Sequence, residues 1–116
     1  MQSPRKYDLE DWTLEFARGV SAFVERLPRT LSNVEYCKQV VRSSGSVGAN
    51  YIEANEALGK KDFLTRIKIC RKEAKETRYW LQLINCGGDS ENKRKQLIQE
   101  STERMKIFGA ILEKSK

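Results

Sequence analysis

Residues 61–84 read KDFLTRIKICRKEAKETRYWLQLI, and three chemistries recur along this run without mixing. Phe63, Ile67, Cys70, Ala74, Thr77, Leu81 and Ile84 fall alternately four and three positions apart, the spacing of a helix packed along its whole length. Lys61, Lys68, Arg71, Lys72, Lys75 and Arg78 make a second, basic face. On the other flank, Ile69, Glu73, Glu76, Trp80 and Leu83 combine large apolar groups with carboxylates, so that flank is neither plain core nor plain surface. A helix of this kind needs neighbours on more than one side.

Those neighbours are found by reading outward. After residue 84 comes Cys86-Gly87-Gly88-Asp89, a reversal signal in which Asp89 or Ser90 is placed to cap the next helix. That helix has its seam at Ile98, Ser101, Met105, Phe108 and Leu112, supported by Leu97 and Ile111. Before residue 60, Gly59 suits the left-handed position that ends a helix. The preceding seam runs Cys37, Val40, Ser44, Val47, Tyr51, Ala54 and Leu58. Ser32-Asn33-Val34-Glu35 has the form of a capping box, with Leu31 able to staple against Tyr36. Upstream, Asp8 caps a helix carrying Leu9, Trp12, Phe16, Val20, Phe23, Val24 and Leu27, and Pro28 stops it.

The prediction is four helices, at about 8–27, 33–58, 60–85 and 90–114, in one domain covering 1–116. Connections this short cannot carry the chain back along a helix, so the fold class is all-α, an antiparallel up-down-up-down four-helix bundle. Met1 to Lys6 read as untethered. The run Ser43-Ser44-Gly45-Ser46-Val47-Gly48-Ala49 has poor helix propensity and by itself allows a loop, but the seam keeps its phase across it. We therefore expect a continuous second helix whose small residues admit another helix at close range.

Around Gly59 the second and third helices are antiparallel, and their equivalent flanks meet. Ser43, Ser46, Asn50 and Glu53 then face Glu73 and Glu76, with Ser46 expected near Glu73, Ser43 near Glu76 and Glu53 near Arg66. The result is either a structural polar band, each member needing a partner if buried, or an exposed polar edge. Ile69, Tyr79, Trp80 and Leu83 lie partly off the main seam. They are candidates for a subunit interface or for packing by the first helix.

Catalytic chemistry finds little to work with. The chain has no histidine, so neither Glu-x-x-His metal sites of bundle proteins nor His-assisted nucleophiles are available, and no metal or other cofactor is expected. Cys37, Cys70 and Cys86 show no zinc spacing, and an odd, dispersed set of thiols points to a reducing cytoplasm. MQSPRKYDLEDW lacks the apolar region of a signal peptide, and no apolar run approaches the roughly 20 residues that span a bilayer. The net charge of +6 is unevenly spread: residues 60–85 carry eight bases and three acids, whereas residues 8–27 carry five acids and two bases. Concentration in one element suits a polyanion-binding surface, although a lysine-rich face is also compatible with simple solvation.

Arg42-Ser43-Ser44-Gly45-Ser46-Val47-Gly48-Ala49-Asn50-Tyr51-Ile52-Glu53-Ala54, then Lys61-Asp62-Phe63, then Lys72-Glu73-Ala74-Lys75-Glu76-Thr77-Arg78-Tyr79-Trp80-Leu81, resemble the bacterial four-helix bundle proteins encoded in intervening sequences of 23S ribosomal RNA genes. The likeness covers nearly the whole chain. It is similar also to the accessory variability proteins of diversity-generating retroelements, which bind nucleic acid and a reverse transcriptase. The resemblance implies a continuous second helix, a ring-like homopentamer and no known catalysis. Gly59 stands where the family often has serine, which removes a side-chain cap from the third helix. The expectation is a non-enzymatic oligomer binding RNA or DNA nonspecifically through Lys61, Lys68, Arg71, Lys72, Lys75 and Arg78; the alternative is a protein-interaction scaffold or accessory subunit docking an acidic protein partner.

Overall fold

The computed structural model describes residues 8–116; the expectation for Met1 to Lys6 lies outside them. Four helices follow one another as α1 (Leu9–Val24), α2 (Leu31–Asn55), α3 (Lys60–Leu83) and α4 (Gly88–Lys114). Each touches its two neighbours around a closed ring, α1–α2, α2–α3, α3–α4 and α4–α1, and among the described residues the diagonal pairs make no close backbone approach. Specific contacts give the directions. Asn33 at the start of α2 bonds Asn85 beyond the end of α3, and Asn50 bonds Arg66 near the start of α3. Arg78 reaches Thr102, Arg104 reaches Trp12 and Asn55 reaches Glu10, so every neighbouring pair is antiparallel. None of these helices is long and apolar enough to cross a membrane.

The core has two apolar clusters. One gathers Phe16, Val20, Phe23, Leu27, Val40, Leu81, Ile84 and Leu97. The other gathers Val47, Ala54, Ile67, Cys70, Ala74 and Phe108. Their Val, Leu, Ile and Phe side chains contribute roughly 1.5–3 kcal/mol each when fully buried, which makes the two clusters the main favourable term. Each helix also supplies small polar groups to the interior: Thr13, Ser43 and Ser44, Thr77, and Ser101, all buried. Their hydroxyls are satisfied locally, Thr13 donating to Glu10 O, Ser44 to Val41 O, Thr77 to Glu73 O and Ser101 to Leu97 O. Small residues across all four helices let the backbones come close at no polar cost.

The Ser43–Ala49 run is helical throughout, as its phase predicted. Gly48 supplies the close approach: a Cβ there would stand 2.8 Å from Thr13 Oγ1 of α1. Gly45 faces open space.

Helix ends differ from the sequence expectation in ways that have physical causes. Asp8 caps α1 as expected, its carboxylate accepting from Glu10 N and Asp11 N. The α2 cap is Thr30, whose hydroxyl accepts from Asn33 N, and not Ser32. Starting earlier places Asn33 inside the first turn, where its amide donates to Pro28 O and Asn85 O while its oxygen accepts from Asn85 N. Leu31 is exposed, so no staple forms. α2 ends at Asn55 instead of residue 58, and Leu58 is fully exposed, so another turn would bury nothing. Gly59 is extended, with φ −149° and ψ 168°, and acts as the N-cap of α3 rather than as a left-handed stop; no side-chain cap bond is made there. α4 begins at Gly88 after an extended Gly87, not at Asp89 or Ser90, and this puts Asp89 and Glu91 in the first turn against the helix dipole.

Candidate nucleic-acid interface

α3 turns its three chemistries toward three surroundings. The apolar seam is inside as expected, with Ile67, Cys70, Ala74, Thr77 and Leu81 fully buried. Burial holds the Cys70 thiol protonated, its pKa pushed up to about 12, and its Sγ donates to Val47 O. This thiol is a packing group rather than a nucleophile. The Cys37 and Cys86 thiols are also raised, chiefly by desolvation.

The flank toward α2 is a polar band, with partners different from those anticipated. Ser43 Oγ and Thr77 Oγ1 share a buried hydrogen bond of 2.8 Å. Ser43 therefore does not meet Glu76. Glu73, almost fully buried, and half-exposed Glu76 are both held by Arg42, at 3.4 and 3.3 Å, so Ser46 is not Glu73's partner. Ser46 receives the Asn50 amide, and Asn50 Oδ1 accepts from Arg66. Glu53, expected beside Arg66, is exposed. The register places hydroxyls opposite each other in the dry interior and leaves buried Glu73 and half-exposed Glu76 to a cation that keeps one side in water. Arg42 carried no signal for this role beyond its place one residue before Ser43.

Trp80 is partly buried, and it is covered by α2 rather than by α1. Its ring lies 6.2 Å from that of Tyr36 and contacts the first apolar cluster. Ile69 is also partly buried, whereas Tyr79 and Leu83 are exposed.

The third face is basic. Lys61, Lys68, Arg71, Lys72 and Lys75 are exposed and form no ion pair with described residues. Helical geometry puts Lys61, Lys68, Lys72 and Lys75 on one outward line about 21 Å long. Arg71 leans toward α4, where a Cβ at Gly109 would lie 4.0 Å from its guanidinium. Arg78 is half-buried and donates to Thr102 Oγ1 at 3.2 Å, which makes it partly a tie between α3 and α4. α1, carrying Glu10, Asp11 and Glu15, occupies the diagonal corner of the ring, so the charge asymmetry of the sequence becomes an asymmetry between opposite sides of the molecule.

Two further residues were not singled out in the sequence. Arg104 is buried, its guanidinium carbon 3.5 Å from the Trp12 ring centroid and 4.6 Å from that of Phe16, and it donates to Trp12 O and Glu100 O. This moves the centre of the α4 seam from Met105 to Leu97, Arg104 and Phe108. Arg94, gripped by Glu91 at 2.8 Å, donates to Leu81 O and Gln82 O and so satisfies carbonyls at the C-terminus of α3, which has no basic residue of its own in its last turn. An arginine at a core phase, and one just after a glycine turn, were the available hints.

Comparison with solved structures finds similarity to a protein of unknown function from the S23 ribosomal protein family of Bacteroides thetaiotaomicron VPI-5482. The two are 32% identical over 90% of this chain and 98% of that one, with a TM-score of 0.77. No curated protein matches. The model of the 23S rRNA-intervening sequence proteins matches residues 5–110, nearly the entire bundle just described, and the chain belongs to that family.

Proposed function

We propose that this protein is a non-enzymatic, oligomeric, cytoplasmic bundle that binds RNA or DNA without sequence readout through the outward face of α3. One observation carries the reading. The lysines of that face are exposed and spend no charge inside the subunit, while the two glutamates on the same helix are turned to the α2 flank and held by Arg42. A row of unspent cations supplies the counterion-release term that dominates nonspecific nucleic-acid binding. The row itself is made of lysines, which lack the planar, bidentate group that reads base edges, and beside it Arg78 is tied to Thr102 of α4. Salt titration tests it: four neutralised phosphates give a slope of log K on log salt near −3, at about −0.7 to −0.9 per phosphate. Lys68→Glu with Lys75→Glu should weaken binding equally for unrelated sequences. Absence of binding to any RNA or DNA at low salt removes the proposal.

The oligomeric part of this proposal is supported by the outer face of α2. Val34, Val41 and Ile52 are exposed there, and Gly45 opens on free space between them. An apolar line with room for a helix suits contact between subunits, in keeping with a homopentamer as the family resemblance implies. Leu83, also exposed, is the remaining interface candidate, whereas exposed Tyr79 belongs to the lysine row. Light scattering of the wild type beside Val41→Glu with Ile52→Glu decides it: the wild type should be an oligomer and the variant smaller, and a monomeric wild type at micromolar concentration excludes the assembly.

A further inference from the structure

Tyr79 shares the outward line of the lysines: Lys68, Lys72, Lys75 and Tyr79 succeed one another at intervals of four, three and four residues, one helical face. Its side chain is more than half exposed, at 55%. It is nonetheless backed. The Tyr79 ring lies 5.2 Å from that of Trp80 at 72°, and Trp80 in turn lies 6.2 Å from Tyr36 on α2. This ladder of three rings runs from the apolar core to the end of the cation row, and it gives Tyr79 a supported position where a free surface tyrosine would have none.

From this juxtaposition we infer that the α3 face binds single-stranded rather than duplex nucleic acid, with Tyr79 stacking on an unpaired base while Lys68, Lys72 and Lys75 hold the adjoining phosphates. The inference rests on the nucleic-acid reading above and adds the ligand class to it. In a duplex the faces of the bases are already stacked on one another, and an aromatic ring among the lysines has nothing to cover. A single strand presents both a phosphate row and free base faces, and the α3 line presents a cation row ending in a ring. Glu76, one turn before Trp80 and on the α2 side of the line, opposes a second phosphate strand there. Stacking of this kind is tolerant of base identity, which agrees with a row built from lysines, point charges without a bidentate fork.

The test compares fluorescent single-stranded rU and dT oligonucleotides with duplexes of equal length at one salt concentration, against wild type, Tyr79→Ala, Tyr79→Phe and the Lys68→Glu with Lys75→Glu variant. Single strands of one or both sugars should bind more tightly than duplex. Tyr79→Ala should lose about fivefold or more for single strands and less than twofold for duplex, and Tyr79→Phe should retain binding. Thermal melting of Tyr79→Ala confirms that it folds, as a half-exposed position should allow. If duplex binds as well as single strand and Tyr79→Ala changes nothing while the lysine variant weakens both, the inference is wrong and the broader reading stands. If no nucleic acid binds the wild type, the broader reading fails and takes this one with it.

Discussion

Asn33 holds more of this structure than its composition suggests. It is buried and makes three tertiary hydrogen bonds to Pro28 and Asn85, joining the α1–α2 connection to the end of α3. Replacement by alanine leaves an N–H and two carbonyls without partners, and Asn33→Ala should cost about 2–4 kcal/mol in urea unfolding. The two glycines of α2 give an opposite pair. At Gly48 an added methyl meets Thr13, whose hydroxyl is already tied to Glu10 O, so Gly48→Ala should destabilise by about 1–3 kcal/mol. At Gly45 the methyl meets nothing, and Gly45→Ala should stabilise the subunit by about 0.5–1 kcal/mol by restricting the unfolded chain. Equal effects of the two changes on unfolding would contradict this account of why the run is glycine-rich. A stable Gly45→Ala subunit that fails to assemble would instead place another helix over Gly45.

At the scale of elements, the α2–α3 pair is specified by polar groups as much as by its seam. Glu73 is nearly buried and depends on one exposed partner, Arg42. Arg42→Ala should cost about 1 kcal/mol, a modest figure because half of Arg42 is in water. Adding Glu73→Gln to that variant should recover most of the loss, since a neutral amide tolerates the site without a cation. A double-mutant cycle in chemical denaturation measures the coupling, and a purely additive result would deny the pair its role. The existence of both helices was legible from periodicity, and so was the antiparallel meeting of Ser43, Ser46, Asn50, Glu73 and Glu76. The partners were not. Matching distance from Gly59 assumed that the turn was symmetric, whereas α2 stops four residues before Gly59 and α3 starts immediately after it. Which hydroxyl meets which is then settled by burial, because Ser43 and Thr77 satisfy one another in a dry site.

Across the whole molecule, α1 joins α4 through a buried cation enclosed by rings. Arg104 lies against Trp12 and Phe16, and Gly19 approaches Leu97, where a Cβ would be 3.5 Å from the leucine. Arg104→Ala should remove about 2–4 kcal/mol through lost packing and cation–π contact. Native-state hydrogen exchange should show protection falling most in α1, with α2 and α3 nearer their wild-type values. Uniform loss in all four helices would mean that α1 has no separate opening. The basic face shows the same division between what a linear chain displays and what folding selects. Six of the eight cations of α3 share the basic face in the sequence, and the bundle directs Arg71 and Arg78 of these toward α4, leaving four lysines in line with Tyr79.

The sequence by itself determined four helices, their antiparallel order, the continuity of α2 through its small residues and the concentration of positive charge on α3. These follow from periodicity, turn chemistry and composition, all of which are local along the chain. The tertiary structure alone decided that Thr30 caps α2 where Ser32 has the better local pattern, that Arg42 serves both Glu73 and Glu76, that Arg104 lies inside the core, and that Trp80 backs Tyr79 at the end of the lysine row. Each of these depends on which groups share a desolvated space after four helices have packed, and desolvation is set by neighbours distant in sequence.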